Sequence, residues 1–275
     1  MAYKRVLTIQ DISCVGQCSM TVALPVLSVC GLETCVLPTE ILSTHTGGFQ
    51  KPVIRHLTDS MDEIRRHWER ESLRFDAIYT GYLGSCQAVD GALEAAETLL
   101  DPEGVLIVDP VMGDHGKLYS GFDQNYVQAI SGLCARADIL LPNLTEAALL
   151  TGLPYREDKD LSYARRLGEL LPGKTVILTG VGAKEGQTGV LFRWEKGWQH
   201  FCQPEIEGRY SGTGDLFASC FTGAYLQGKS TPEAVQIAAE TTAMCIRNTR
   251  EHPVHPYGIQ FETVLGELIR RVKPV

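Results

Sequence analysis

The segment Arg209-Tyr-Ser-Gly-Thr-Gly-Asp215 runs straight into the apolar stretch Leu216-Phe-Ala-Ser-Cys-Phe-Thr-Gly-Ala-Tyr-Leu226. A glycine-flexed turn, bare backbone N–H groups and a carboxylate therefore fall at one helix N-terminus. Gly212 and Gly214 allow the backbone to approach a ligand closely, and the first N–H groups of a helix, with the macrodipole, favour an anion such as a phosphoryl group in transfer. In the same turn Asp215, kept ionised by that dipole, can take the proton of an attacking hydroxyl. The same residues also fit a glycine turn in which Asp215 is an ordinary N-cap. Other parts of the chain have to separate the two.

Several further candidates leave predicted strands. Asp109-Pro-Val-Met-Gly-Asp114 sets two carboxylates across a tight turn. Hard divalent ions such as Mg²⁺ take oxygen ligands and need only one or two carboxylates beside substrate phosphates. A Pro/Gly turn with solvated aspartates accounts for the pattern equally. In Pro142-Asn-Leu-Thr-Glu146, Pro142 opens a helix, and Asn143 and Glu146, three apart on one face, can hold metal-bound water and phosphate oxygens or form a capping box. Gly180-Val-Gly-Ala-Lys-Glu-Gly186 superficially resembles a dinucleotide fingerprint, with the wrong spacing and no helix after it, so a turn against which a nucleotide can lie is the reading it supports. No P-loop sequence is present. Nearer the N-terminus, His45 in Ser43-Thr-His-Thr-Gly-Gly48 can hydrogen-bond a small polar substrate or be structural. Asp11, placed at the end of strand one, can meet a cationic group, and Tyr82 can form an aromatic wall.

The elements that position these residues alternate. Arg5–Gln10, Thr34–Leu37, Ala77–Thr80, Val105–Asp109, Ile139–Leu141 and Thr175–Thr179 read as strands, with helices over Asp59–Ser72, Gln87–Leu100, Gln124–Ala135 and Tyr163–Leu170. That alternation predicts a mostly parallel sheet flanked by helices. Gly189–Trp194 and Trp198–Cys202 predict an antiparallel hairpin at the sheet edge. After Asp215 only helices follow, one capped by Thr231 with Pro232 in its first turn and one near Gln260–Val272. With no linker or repeat, residues 1–275 read as a single α/β domain. Ligands of open α/β sheets bind beyond the carboxyl ends of the strands, where the polar and glycine-rich residues lie.

The 275 residues, 44% of them hydrophobic, support a sizeable core. A net charge of -8 argues against nucleic acid as a partner, and no apolar run is long enough for a membrane span. The N-terminus lacks a signal-peptide pattern, so the expected compartment is the cytoplasm. Nine cysteines, an odd count without a Cys-x-x-Cys pair, read as reduced packed thiols. Cys14 and Cys18, four apart, have no His or third Cys near them in sequence to complete a metal set.

Taken in order, Val6-Leu-Thr-Ile-Gln10, Ser43-Thr-His-Thr-Gly47, Tyr79-Thr-Gly-Tyr82, Asp109–Asp114, Pro142–Glu146 and Gly212-Thr-Gly-Asp215 make the chain resemble, over nearly its whole length, the ribokinase-like superfamily and most closely its pyridoxal kinases. The resemblance implies a three-layer α/β fold without an extended β-lid. It implies ATP-dependent phosphorylation of the 5′-hydroxymethyl of a B6 vitamer (pyridoxal, pyridoxamine or pyridoxine) by a homodimer, with Mg²⁺ and often a monovalent cation such as K⁺. On this likeness Asp215 is the base and Gly212, Thr213 and Gly214 the anion hole. Asp109, Asp114, Asn143 and Glu146 organise Mg²⁺ and phosphates, with Asp109 and Glu146 nearest the metal. Thr179, Gly180 and Thr213 line the nucleotide, and Asp11, His45, Thr46 and Tyr82 the vitamer. Asp11 stands where many pyridoxal kinases carry serine, and Leu141 replaces a common threonine. Hydroxymethylpyrimidine kinases are the nearest alternative, but usually show Ser-Gly-Gly-Ala-Gly where this chain has Ser13-Cys-Val-Gly-Gln-Cys18. A non-catalytic vitamer-binding protein on the same scaffold is the third reading, against which intact Asp215 stands.

Overall fold

The computed structural model describes residues 3–156, 160–208, 210–254 and 257–273. Its strands are β1 (Arg5–Ser13), β2 (Glu33–Leu42), β3 (Ile54–His56), β4 (Phe75–Thr80), β5 (Leu100–Val108), β6 (Gly113–Asp114), β7 (Lys117–Leu118), β8 (Ile139–Leu140), β9 (Thr175–Thr179), β10 (Gln187–Trp194) and β11 (Gly197–Pro204). The α-helices are α1 (Met20–Val29), α2 (Thr58–Arg70), α3 (Cys86–Leu99), α4 (Gln124–Cys134), α5 (Leu144–Thr151), α6 (Leu161–Leu170), α7 (Thr213–Leu226), α8 (Thr231–Glu251) and α9 (Leu265–Val272).

One nine-stranded sheet has the order β11, β10, β9, β8, β5, β4, β1, β2, β3. From β9 through β2 the pairings are parallel, which forces a crossover between successive strands, and the helices fill those crossovers. The antiparallel pairings lie at the rims: β9 with β10 and the hairpin β10/β11 at one, β2 with β3 at the other. β6 and β7 form a separate small ribbon. Apolar side chains leave both faces of the central strands. On one face Val6, Tyr79 and Ile107 pack with Val26 of α1, Phe221 of α7 and Ala238 of α8; on the other Leu7, Ile9 and Leu106 pack with Ala92 of α3, Ile130 of α4 and Leu167 of α6. This double burial explains the near-continuous apolar runs Val105-Leu-Ile-Val108 of β5 and Val176-Ile-Leu178 of β9. Among the described residues no helix is long and apolar enough to cross a membrane.

Several expectations need adjustment. Helix α1 and strand β3 have no counterpart in the sequence reading. β1 continues to Ser13, past a register shift between Gln10 and Ile12, so Asp11 lies inside a strand and not at its end. The cap of α8 is Ser230, whose side chain and Glu233 form a capping box, with Thr231 as the first helical residue. Asn143, not Pro142, starts α5 as its cap. The C-terminal helix begins as a 3₁₀ turn, Phe261–Val264, before α9.

Candidate active site

The carboxyl ends of β1, β4, β5 and β9 meet the N-termini of α5 and α7, and here most of the candidate residues gather. Gly212 caps α7 with φ 83°, a left-handed conformation that glycine adopts without strain. A Cβ at this position would also overlap the carbonyl oxygen of Gln17, so the loop after β1 lies directly on the turn. Arg209 falls outside the described residues. Thr213 donates its hydroxyl to the Tyr210 carbonyl at 3.3 Å. Gly214 faces open space, with nothing within 4 Å of where a Cβ would stand, so an anion has room over the first N–H groups of the helix.

Asp215 is the third residue of α7 and therefore not its cap. Its half-buried carboxylate accepts from the Ser19 backbone N–H, yet burial, helped by the charge of Asp11, pushes its pKa up to about 6. The dipole keeps it less firmly ionised than the sequence suggested, because loss of hydration outweighs it. A base poised near neutrality suits proton removal from an alcohol.

Asp109, 7% exposed, follows β5, and burial together with the charges of Glu146 and Asp215 holds its pKa well above the carboxylate range. Glu146 is 3% exposed. Its two carboxylate oxygens accept from the backbone N–H groups of Met112 at 3.2 Å and Asn143 at 2.9 Å, while Asn143 Oδ1 accepts from the Glu146 N–H at 3.0 Å. The capping box is thus formed, and the remaining lone pairs of Glu146 still face Asp109 electrostatically. Burial raises the Glu146 pKa to about 8. The Asn143 amide ties α5 to the Gly113 carbonyl at 2.9 Å. Asp114 does not join this buried group: it lies in the β6/β7 ribbon with its side chain 53% exposed, beside His115. Its charge reaches Glu146 nonetheless. Thr179 ends β9 and donates its N–H to the Pro142 carbonyl at 3.0 Å, and Gly180, which follows it, faces open space.

At the other end of the cleft, Asp11 is 3% exposed and accepts from the Ser13 hydroxyl at 3.0 Å; its N–H donates to the Tyr82 carbonyl at 3.2 Å. Burial raises its pKa despite the help of the Ser13 and Ser19 hydroxyls. Tyr82 is half-buried, 5.4 Å from the ring of Phe122, which stacks on Tyr126 at 3.8 Å. His45 is 6% exposed and neither ring nitrogen has a hydrogen-bond partner. Burial depresses its pKa, so the ring is neutral and can donate from one nitrogen and accept at the other. Phe49 meets it edge-on at 5.4 Å, and Thr46 is exposed beside it.

Three contributors escaped the sequence reading. The Tyr119 phenol, after β7, has its pKa raised by burial and by the charges of Glu146, Asp114, Asp109 and Asp215, so it shares their electrostatic surroundings. Ser19, at φ 48°, supplies the N–H to Asp215. Glu40 is a second buried carboxylate beside Asp11 and Tyr82, paired with the exposed His56 at 2.8 Å. Tyr119 could have been found by noting an aromatic a few residues beyond a metal-type aspartate pair.

Comparison with known proteins agrees with this architecture. The phosphomethylpyrimidine kinase family model matches residues 50–257. The pyridoxal kinase PdxY of Pasteurella multocida is 30% identical over 250 residues, 86% of each chain. A Bacteroides thetaiotaomicron protein named for phosphomethylpyrimidine kinase, crystallised with pyridoxal, is 34% identical with a TM-score of 0.91 over 97% of this chain and 96% of its own. Leishmania donovani pyridoxal kinase, in complex with ADP and pyridoxamine, is 25% identical with a TM-score of 0.78 over 96% and 95%. The fold and the strand-end carboxylates define a small-molecule kinase of the ribokinase-like type. The chain belongs to the phosphomethylpyrimidine kinase family, within its pyridoxal kinase group.

Proposed function

We propose that Asp215 is the general base in ATP-dependent phosphorylation of the 5′-hydroxymethyl group of a B6 vitamer. Family membership supplies the reaction class, a phosphotransferase with an alcohol acceptor and ATP as donor. The observation that carries the role is the position of Asp215 in the first turn of α7, between the Asp109 side and the Asp11 side of the cleft, with a pKa near 6. In this reading the Gly212–Gly214 turn receives the transferred phosphoryl, Thr179, Gly180 and Thr213 border the nucleotide, and His45, Thr46, Tyr82 and Asp11 hold the ring.

Among the described residues no three His, Cys, Asp or Glu side chains form an all-protein metal cage. Mg²⁺ needs none, being held by one or two carboxylates with substrate phosphates. Asp109 and Glu146 fit it: both are buried carboxylates whose ionisation is opposed by negative neighbours with no cation among the causes acting on them. When bound there, Mg²⁺ would neutralise phosphate charge. Nine free thiols suit the reducing cytoplasm, and the apolar Ile41, Val53 and Ile54 exposed around β3 suit a homodimer.

Asp215→Asn tests the central role. It should keep nucleotide binding while kcat falls by roughly 10²–10⁴, the size of a general-base contribution. A variant within a few-fold of the parent removes Asp215 from the mechanism. Hydroxymethylpyrimidine phosphorylation is the second reading, favoured by the family model. ATP consumption with pyridoxal, pyridoxamine, pyridoxine and hydroxymethylpyrimidine as acceptors distinguishes the two.

A further inference from the structure

The residues just before the C-terminal 3₁₀ turn lie against the loops that surround the anion turn. The Ile259 N–H donates to the Ser211 carbonyl at 3.2 Å, one residue before Gly212. Gly258 forms a parallel bridge with Gln17. Its φ of 135° suits glycine, and a Cβ there would stand 2.7 Å from that of Gln17 and 3.3 Å from the carbonyl oxygens of Gln17 and Ser211. The Gln17 carbonyl oxygen in turn fills the space where a Cβ of Gly212 would lie. Three parts of the chain far apart in sequence therefore meet at the start of α7.

The C-terminal partner is anchored in the core. Ile259, Phe261 and Val264 are buried in the same cluster as Leu216 and Phe217 of α7, and the Gln260 N–H donates to Thr249 Oγ1 of α8 at 2.9 Å. Gln17 is tied to this segment through its side chain, Nε2 donating to Glu262 Oε1 at 2.6 Å in a charge-assisted bond, with Gln17 half-buried and Glu262 exposed. A turn that contains two glycines gains most from such support, since glycine has the greatest backbone freedom to lose. The N–H groups that meet an anion also act strongly only when they are already oriented.

We propose that Gln17 and Glu262 are positioning residues: with the Gly258–Ile259 backbone they form a brace that holds the Gly212–Gly214 turn in the geometry that receives the transferred phosphoryl group. The inference rests on the reading of that turn as the anion site. A displacement of about 1 Å at a transfer site can cost about a hundredfold in rate, so a brace on the turn acts on kcat. The same segment also borders the vitamer end of the cleft, where Tyr257 meets Phe49 at 5.4 Å and Phe49 meets His45 at the same distance. The split between kcat and the vitamer KM therefore tells a brace on the turn from a wall of the pocket.

The test is steady-state kinetics with pyridoxal at saturating ATP and Mg²⁺, well below the Tm of each protein, on Gln17→Glu, Glu262→Ala and the double variant Gln17→Glu with Glu262→Gln. Gln17→Glu sets two carboxylates against each other, and the double variant restores an amide–carboxylate pair with the donor on the opposite side. In Gln17→Glu kcat should fall by roughly ten- to a hundredfold while the pyridoxal KM stays within a few-fold of the parent. Glu262→Ala should lower kcat in the same direction, and the double variant should recover it to within a few-fold. Parental kcat in both single variants overturns the proposal, as does a pyridoxal KM that rises at unchanged kcat, or a double variant no more active than Gln17→Glu. Gly214→Ala separates the brace from the reading it rests on. A Cβ there has nothing within 4 Å outside its own helical turn, so it keeps the fold and intrudes on the space of the phosphoryl group. Parental kinetics in Gly214→Ala remove the anion-site reading; an impaired Gly214→Ala beside parental Gln17→Glu and Glu262→Ala removes the brace alone.

Discussion

At Asp215, catalysis and stability pull in opposite directions. Its pKa rises from 3.8 to about 6 on folding, so between those values the folded chain binds more protons than the unfolded one. Stability from this group is therefore greatest below pH 3.8 and is lost as pH rises toward 6, whereas the base is competent only above 6. Activity should fall along an acid limb near pH 6. Asp215→Asn should raise Tm at pH 7 relative to its effect at pH 4, measured by differential scanning calorimetry. At Asp11 the carboxylate has two serine hydroxyls but no cationic partner among the groups acting on it. An amine-bearing vitamer would supply one through a charge-assisted hydrogen bond of about 1.5–3 kcal/mol. Pyridoxamine is therefore expected to be favoured over pyridoxal, and Asp11→Ser to shrink the ratio of their kcat/KM values by roughly ten- to a hundredfold. An unchanged ratio would assign Asp11 to the local hydrogen bonding of Ser13 and Ser19 alone.

At the scale of elements, α5 shows how a cap and a metal position share one residue. Glu146→Gln replaces an acceptor by an N–H₂ group facing the Met112 or Asn143 N–H, leaving a buried donor unmatched at a cost of about 1–3 kcal/mol. The Mg²⁺ concentration for half-maximal rate should rise while the vitamer KM holds; the reverse would move Glu146 to the other pocket. Gly212→Ala meets both a left-handed φ and the Gln17 carbonyl, so the turn must open and both phosphoryl transfer and Tm should drop. The parallel strands, the edge hairpin and the helix after Gly212 were legible because each writes a period or a turn into the sequence. Helix α1 was not: its ten residues are mostly apolar on every side and contain Pro25, so no amphipathic stripe marks it. The parallel pairing of β1 with β2 demands a crossover there, and that topological argument would have found it. Site types were legible at strand ends, but distances were not. Asp114 was expected beside Asp109 in organising Mg²⁺ and phosphates and lies instead in an exposed ribbon, since its position depends on a turn closed by Gly116 N–H donating to Thr145 at 2.9 Å.

Across the whole molecule the two sheet rims differ. One ends in an eight-residue strand, β11, and the other in β3, three residues long and exposed throughout. A short exposed edge with apolar neighbours is a natural contact between copies. On the homodimer proposed above, Ile54→Lys should lower the sedimentation coefficient toward that of a monomer at equal concentration. An unchanged value places the contact elsewhere.

The order of the strands also bears on how the chain comes off the ribosome. β1 and α1 emerge long before the helix that covers them, α7, which begins at Thr213, and Gln227 reaches back 197 residues to the Cys30 carbonyl at 2.8 Å. At roughly 5–20 residues per second, Val6 and Val26 wait on the order of 10–40 s before their partner is made. For that interval the nascent polypeptide displays an uncovered apolar face, an exposure that a chaperone can shield and that a chain truncated before α7 would never lose.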